Sequence, residues 1–146
     1  MPALPLHPAV LRWRHLHVSP FETKALSDLP DVTAPDGSDV RLLVSSGSGS
    51  MAQFSLAPSA ISLAVCHRTV EELWFITAGE GQMWRSADGV EEIIDLAPGI
   101  SLTIPVGTSF QFRAGRTPLE AVAVTMPPWP GMDEAYAVGG PWTPQS

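Results

Sequence analysis

Cysteine, basic residues and long apolar runs are all scarce in this sequence, and each scarcity excludes a class of protein. The single cysteine, Cys66, cannot form an intrachain disulfide, which favours a reducing compartment. Only 8 lysine and arginine residues stand against 15 aspartate and glutamate residues, and the net charge of −7 argues against a nucleic-acid partner. No apolar run is long enough to cross a membrane, and the N-terminus lacks a signal-peptide pattern. We therefore predict a cytoplasmic protein with no membrane partner.

Amphipathic helical patterns are also lacking, whereas turn residues are abundant. The 146 residues include 15 prolines and 12 glycines, which break helices and suit a protein with many turns. Hydrophobic residues make up 45% of the chain, enough for the core of one domain. These proportions predict an all-β, single-domain protein.

Short β-prone segments separated by turn signals follow one another through the middle of the chain. Their regular spacing predicts a sandwich or a barrel. The predicted strands are Val40–Ser45, Met51–Leu56, Ile61–His67, Leu73–Thr77, Gln82–Arg85, Glu91–Leu96, Ser101–Ile104, Ser109–Arg113 and Leu119–Met126.

Three regions follow from this pattern. Residues 1–38 form an N-terminal arm and loop, with an edge strand over 10–18 and one helical turn near 22–26. Residues 39–126 form the barrel. Residues 127–146 hold five prolines and form a tail that is too proline-rich for a strand in the sheet. We expect Trp129 and Trp142 to hold this tail against the barrel or against a second subunit.

Two segments carry the most specific pattern in the chain. Residues 66–79 read CHRTVEELWFITAG, and residues 99–110 read GISLTIPVGTSF. They resemble the two cupin motifs, G-x5-H-x-H-x3–4-E-x6-G and G-x5-P-x-G-x2-H-x3-N. The positions that match are His67, Glu72, Gly79, Gly99, Pro105 and Gly107. The string HRTVEE at 67–72 and the string TMPPWPG at 125–131 are similar to those of small single-domain bacterial cupins. The resemblance implies a jelly-roll barrel, also called a double-stranded β-helix.

The departures from those motifs concern the metal ligands. The resemblance implies two histidines and a glutamate from the first motif and one histidine from the second. Val65 stands at the first histidine position, Phe110 stands at the last one, and Ala114 replaces the final asparagine. Only His67 and Glu72 remain, and mononuclear catalytic sites use three or more protein ligands. We therefore predict no cofactor. A divalent transition metal is the alternative, with His67 and Glu72 as its protein ligands.

Strand alternation places an aromatic set inside the barrel. Trp74, Ile76, Phe110 and Phe112 share the phase of Glu72, and we expect Gln82 and Trp84 to face inward on a neighbouring strand. This set predicts either a pocket for a small, partly apolar ligand or a filled core. The candidate ligand-binding residues are His67, Glu72, Trp74, Gln82, Trp84, Phe110 and Phe112.

Three functions are compatible with these residues, and whether the protein is an enzyme stays open. The first is binding of a small molecule in the barrel cavity without a full metal site. The second is a metal-independent isomerase, epimerase or polyketide-cyclase-like enzyme, with His67 and Glu72 as catalytic residues and His67 shuttling a proton. The third is a metal-dependent oxygenase or isomerase with a non-standard ligand set. Small cupins often pair through edge strands, so we expect a homodimer.

His15 and His17 form the one closely spaced histidine pair in the sequence. They lie two residues apart, a spacing that can chelate a metal on a strand. Because they belong to the N-terminal arm, contact with solvent or with a second subunit is the favoured interpretation.

Overall fold

The structure is a computed structural model that describes residues 20–146. The predicted edge strand over 10–18 and the two histidines at 15 and 17 lie outside this range. Within residues 20–146, no helix is long and apolar enough to cross a membrane.

Eleven strands in the described chain build two antiparallel sheets. The strands are β1 (Val32–Thr33), β2 (Asp39–Ser45), β3 (Ser50–Leu56), β4 (Val65–His67), β5 (Glu71–Ala78), β6 (Gly81–Ala87), β7 (Val90–Leu96), β8 (Ser101–Ile104), β9 (Ser109–Ala114), β10 (Leu119–Met126) and β11 (Ala135–Ala137). One sheet has the order β1-β2-β3-β10-β5-β8, and the other has the order β11-β4-β9-β6-β7. A 3₁₀ turn over Met132–Glu134 precedes β11. The all-β prediction is confirmed.

The core lies between the two sheets because strands such as β5, β8 and β10 alternate buried residues with residues that face outward. In β5, Trp74 and Ile76 are buried while Leu73 and Phe75 are about half exposed. In β10, the small side chains of Ala121 and Ala123 face the same interior. These small residues share the core with large rings such as those of Trp74 and Phe112.

The turn after β5 shows why a glycine stands there. Gly79 has a φ of 80°, in the left-handed region that a side chain resists. A Cβ at this position would also collide with the carbonyl oxygen of Pro118. The glycine therefore allows the turn after β5 to pack closely against Pro118, which precedes β10.

Four details differ from the sequence-based expectations. Residues 22–26 form no helical turn, because the Glu22 carboxylate instead accepts a hydrogen bond from the backbone of Ser45 at the sheet edge. Val32–Thr33 form a short strand within the predicted loop. The predicted strand from Ile61 begins only at Val65, and Ile61 makes isolated bridges.

The fourth difference is in the tail. Its prolines flank a proline-free stretch, and Ala135–Ala137 within that stretch pairs with β4 as β11. Farther along, the amide side chain of Gln111 bonds both the backbone N–H and the carbonyl of Trp142. The guanidinium of Arg113 lies 4.2 Å above the Trp142 ring centroid.

Candidate functional site

A cavity of about 330 Å³ opens between the two sheets and is closed on one side by the tail. Its volume is at the lower end of the range for small-molecule sites, about 300–1,000 Å³. Most of its walls are apolar, with a few polar groups at one edge. The side chains that line it include Asp36, Phe54, His67, Glu72, Trp74, Phe110, Trp129 and Met132.

Aromatic rings form the inner wall of this cavity. The rings of Phe54 on β3 and Trp74 on β5 are stacked, with centroids 5.3 Å apart and planes 7° apart. The Phe110 ring meets Trp74 edge-on at 6.4 Å and His67 edge-on at 5.2 Å. Such offset and edge-to-face contacts are favourable, and they fix the orientation of each ring.

His67 and Glu72 form the polar edge. His67 ends β4 and Glu72 is the second residue of β5, so the short turn between these strands brings the side chains together. His67 Nδ1 lies 3.5 Å from Glu72 Oε1, and both side chains are buried. Glu72 Oε2 accepts a hydrogen bond of 2.5 Å from Trp74 Nε1. His67 Nδ1 has no hydrogen-bond partner among the described residues.

Burial shifts the pKa values of this pair in opposite directions. Loss of solvation raises the pKa of Glu72 to about 7; the hydrogen bond from Trp74 opposes this rise, and the nearby Asp36 carboxyl adds to it. Loss of solvation lowers the pKa of His67 to about 4, against the attraction of Glu134. Between these two values both groups are uncharged, so the contact is not an ion pair. Glu72 changes protonation near neutral pH.

Asp36 is a second buried carboxyl on this cavity, and it was not among the predicted site residues. Its Oδ1 accepts hydrogen bonds from the Ser38 backbone N–H at 2.9 Å and from the Ser38 hydroxyl at 2.6 Å. Burial raises its pKa, and the Ser38 bonds oppose the rise. The Asp36-Gly37 turn signal was present in the sequence, but it does not show that the carboxyl faces the barrel.

The tail supplies one wall of the cavity. The Trp129 ring meets the His67 ring edge-on, with centroids 5.2 Å apart, and the backbone N–H of Trp129 donates to Ser50 Oγ at 2.9 Å. Met132 and Ala135 also line the cavity. The only signal for this role was the apolar character of the tail residues, and that signal did not distinguish the barrel interior from its surface.

Glu134 fastens this wall to the turn that follows β4. Its buried carboxylate accepts hydrogen bonds from the backbone N–H groups of Thr69 and Val70 and from the Thr69 hydroxyl. The Arg68 N–H donates to the Glu134 carbonyl at 2.9 Å. Although burial alone would raise the pKa of Glu134, these bonds outweigh it and hold the pKa below its usual value. The tail is therefore fixed beside His67.

Gln82 and Trp84 do not reach the cavity, contrary to the inward orientation predicted for them. Met83 pairs with Phe112 in register, and both are buried in the core. The neighbouring residues of β6 therefore lie on the opposite face of the sheet, where Gln82 bonds Asp95 and the buried Trp84 donates through Nε1 to a carboxylate on β7.

Phe112 also lies apart from the cavity lining. Its ring packs edge-on against Trp74, with centroids 5.1 Å apart, and it belongs to the core. The cavity therefore brings together His67, Glu72, Trp74 and Phe110 from the predicted ligand-binding set.

Comparisons with known proteins identify the architecture. No family model and no curated protein matches the sequence. Among solved structures, oxalate decarboxylase from Bacillus subtilis superposes with a TM-score of 0.69 at 17% identity, covering 84% of this chain and 33% of that one. CapF from Staphylococcus aureus gives 0.60 at 19% identity, covering 75% and 34%. TT1209 from Thermus thermophilus gives 0.56 at 20% identity, covering 63% and 85%.

The chain has the cupin fold. Because the identities are at most 20%, the likeness establishes architecture alone. The chain spans about a third of the length of the oxalate decarboxylase and CapF chains.

The donor set at the cupin motifs does not fit a bound metal ion. Val65 and Phe110 stand at two of the ligand positions, face each other in register and are buried. Of the remaining pair, Glu72 already accepts a hydrogen bond through one oxygen. No group of three or more His, Cys, Asp or Glu side chains within residues 20–146 is arranged to hold a metal. Two donors with an aromatic ring beside them fall short of a mononuclear site.

Proposed function

We propose that this cupin-fold protein binds a small, partly apolar molecule in its barrel cavity without a full metal site. The observation that carries the proposal is the cavity itself, of about 330 Å³, with aromatic walls and a polar edge. A concave, mostly apolar site with a few convergent polar groups is the usual form of a small-molecule site.

The polar edge supports a binding role because its groups are incompletely paired. His67 Nδ1 is buried without a hydrogen-bond partner among the described residues. Leaving a buried polar atom unpaired costs about 1–3 kcal/mol, and a ligand that bonds to it recovers part of that cost. A purely structural histidine in a filled core would be expected to have its partner within the protein.

Filling the cavity tests this proposal directly. Ala52 lines the cavity from β3, whereas Val122 faces outward on β10. We expect Ala52→Phe to abolish binding of small aromatic fragments, measured by ligand-observed NMR, and Val122→Phe to retain it. Thermal unfolding of both variants checks that the barrel persists. Fragments that bind Ala52→Phe as well as the wild type, or a wild type that binds none, would contradict a ligand site here.

A metal-independent proton-transfer enzyme is the second candidate, and the pKa of Glu72 favours it. A carboxyl with a pKa of about 7 is poised to take and return a proton near neutral pH, whereas His67, with a pKa of about 4, is a weak base there, so Glu72 rather than His67 carries the proton in this candidate. In an isomerase or cyclase, Glu72 would remove a proton from carbon next to a carbonyl, and the same proton would return elsewhere on the substrate. No redox partner is required.

Solvent deuterium exchange separates this candidate from simple binding. An enzyme of this kind would exchange the acidic carbon-bound hydrogen of a bound ketone in D₂O, and Glu72→Gln would abolish that exchange while keeping the bond to Trp74. Binding without exchange would leave only the first proposal.

The metal-dependent oxygenase or isomerase remains an alternative with only His67 and Glu72 as donors. Elemental analysis of purified protein tests it. A near-stoichiometric transition metal would contradict both metal-free proposals. Its third protein donor would then have to come from outside residues 20–146.

A further inference from the structure

The two carboxyls of the cavity have no counter-charge within the described chain. Glu72 and Asp36 are 3% and 6% exposed, and both line the cavity. The ion pairs among residues 20–146 join Lys24 to Glu22 and Arg85 to Glu92, and neither cation reaches the two buried acids. Their basic neighbour in this part of the chain, His67, is neutral over most of the pH range because burial lowers its pKa to about 4.

The remaining cationic side chains near the cavity are engaged elsewhere. Lys24 lines the cavity but is about half exposed and lies 4.0 Å from Glu22. Arg41, on β2, donates to the carbonyls of Ser27 and Asp28 along the outer edge of the sheet. When the two buried carboxyls are ionised, no cationic side chain within residues 20–146 balances their charge.

Aromatic rings surround these same carboxyls. Phe54, Trp74, Phe110 and Trp129 all line the cavity. The face of an aromatic ring attracts a cation, most strongly for tryptophan, and the attraction grows when water is excluded. Acidic groups beside tryptophan and phenylalanine rings therefore complement an organic ammonium group better than they complement a neutral or an anionic one.

We propose that the cavity takes an organic cation, an ammonium group carried on an aromatic or aliphatic body, with the cation beside Glu72 and Asp36 and the body against the ring wall. This proposal rests on the proposed small-molecule function and adds the chemical class of the ligand. The unpartnered His67 Nδ1 supplies a further polar contact at the same end.

An anionic ligand is disfavoured on the same grounds. It would bring a third negative group into a site that already holds two carboxyls, in a protein with a net charge of −7. Like charges at short range in a site with little water repel strongly.

Three probes that share one phenylethyl body test the charge preference: 2-phenylethylamine, 2-phenylethanol and 3-phenylpropanoate. Titration calorimetry with the full chain near pH 8 keeps the amine protonated and lies above the pKa of Glu72, which is about 7. We expect the amine to bind at least about tenfold more tightly than the alcohol, equivalent to about 1.4 kcal/mol. The carboxylate probe should bind most weakly.

Single variants test whether the two acids cause the preference. Glu72→Gln and Asp36→Asn should each reduce the advantage of the amine over the alcohol by about tenfold or more. Glu71→Gln is the matched control, since Glu71 is the adjacent residue and faces the exterior. It should leave the amine advantage unchanged.

The outcomes separate this inference from the proposed function. An alcohol that binds as tightly as the amine would overturn the cation preference while leaving a ligand site in place. If the amine fails to bind while uncharged fragments bind the wild type, the cation preference is likewise overturned and the ligand site remains. If no fragment of any charge binds, both proposals fail together. Because the probe series uses the wild-type protein, a variant that does not fold leaves the test intact.

Discussion

Replacing Glu72 by glutamine should change how stability depends on pH. Glu72 is 3% exposed, and its pKa in the native protein is about 7, against an ordinary value of 4.5. Between these pH values the native protein holds a proton that the unfolded chain releases. Stability therefore falls as the pH rises through this range. The contribution of Glu72 is fully present below pH 4.5 and is lost above pH 7.

The magnitude follows from the same two values. The difference between a pKa of about 7 and one of 4.5 corresponds to about 3 kcal/mol. His67 acts in the opposite sense, since its native pKa of about 4 lies below the ordinary 6.5 and its contribution is lost as the pH falls between them. In the wild type the two slopes nearly cancel between pH 4.5 and 6.5. Replacing Glu72 by glutamine removes the pH dependence that Glu72 contributes, so the opposite pH dependence from His67 remains.

Urea unfolding followed by tryptophan fluorescence measures the free energy of unfolding at each pH. We expect the stability of the wild type, relative to Glu72→Gln, to decrease by about 3 kcal/mol from pH 4.5 to pH 8. Glutamine keeps an acceptor for Trp74, and contributions from Asp36 and Glu134 largely cancel in the difference. Glu71→Gln should show no comparable trend. A wild-type-to-variant difference that stays constant across the range would refute a buried Glu72 with a raised pKa.

Three further predictions concern the tail, a turn and the altered motif. Glu134→Ala should destabilise the protein by about 2–4 kcal/mol because two backbone N–H groups lose their acceptor, and Glu134→Gln should cost less in urea unfolding. Gly79→Ala should cost about 2 kcal/mol or more because its φ is 80° and a Cβ would collide with backbone, whereas alanine at the exposed Gly47 should be tolerated. Val65→His with Phe110→His restores the cupin ligand positions beside His67 and Glu72, so elemental analysis after dialysis should find a bound transition metal in the folded double variant and none in the wild type, with lower occupancy in either single variant, which has three donors.

The sequence predicted the barrel and half of the site because these depend on local rules. Strand alternation placed Glu72, Trp74 and Ile76 on one face of β5, as the structure shows. The same rule failed on β6 because Met83 and Trp84 are both large and apolar, so alternation does not distinguish the inward phase from the outward one. The homodimer expected from the sequence stays a prediction.

The site residues that the sequence did not predict lie in a turn and in the tail, which have no regular apolar alternation. Asp36 reaches the cavity from a turn before β2, and Trp129 reaches it from the tail, where Glu134 bonds the turn after β4. These residues are separated from His67 by about 30 to 70 positions in the sequence, so no local pattern connects them. The pairing of β11 with β4 and the hydrogen bonds of Glu134 to the turn after β4 bring the tail to the motif.

The chemistry of the altered motif follows from which groups lost their partners. Val65 and Phe110 fill two ligand positions with apolar atoms, which removes solvation and donors together. Glu72 is left in surroundings that favour its neutral form, and Asp36 adds a second acid to the same space. Two buried acids without a cation are costly in a protein core unless something outside the described chain balances them. The aromatic walls would favour an organic ion over a hydrated metal ion, so the apolar residues at two ligand positions and the proposed ligand preference share a physical origin.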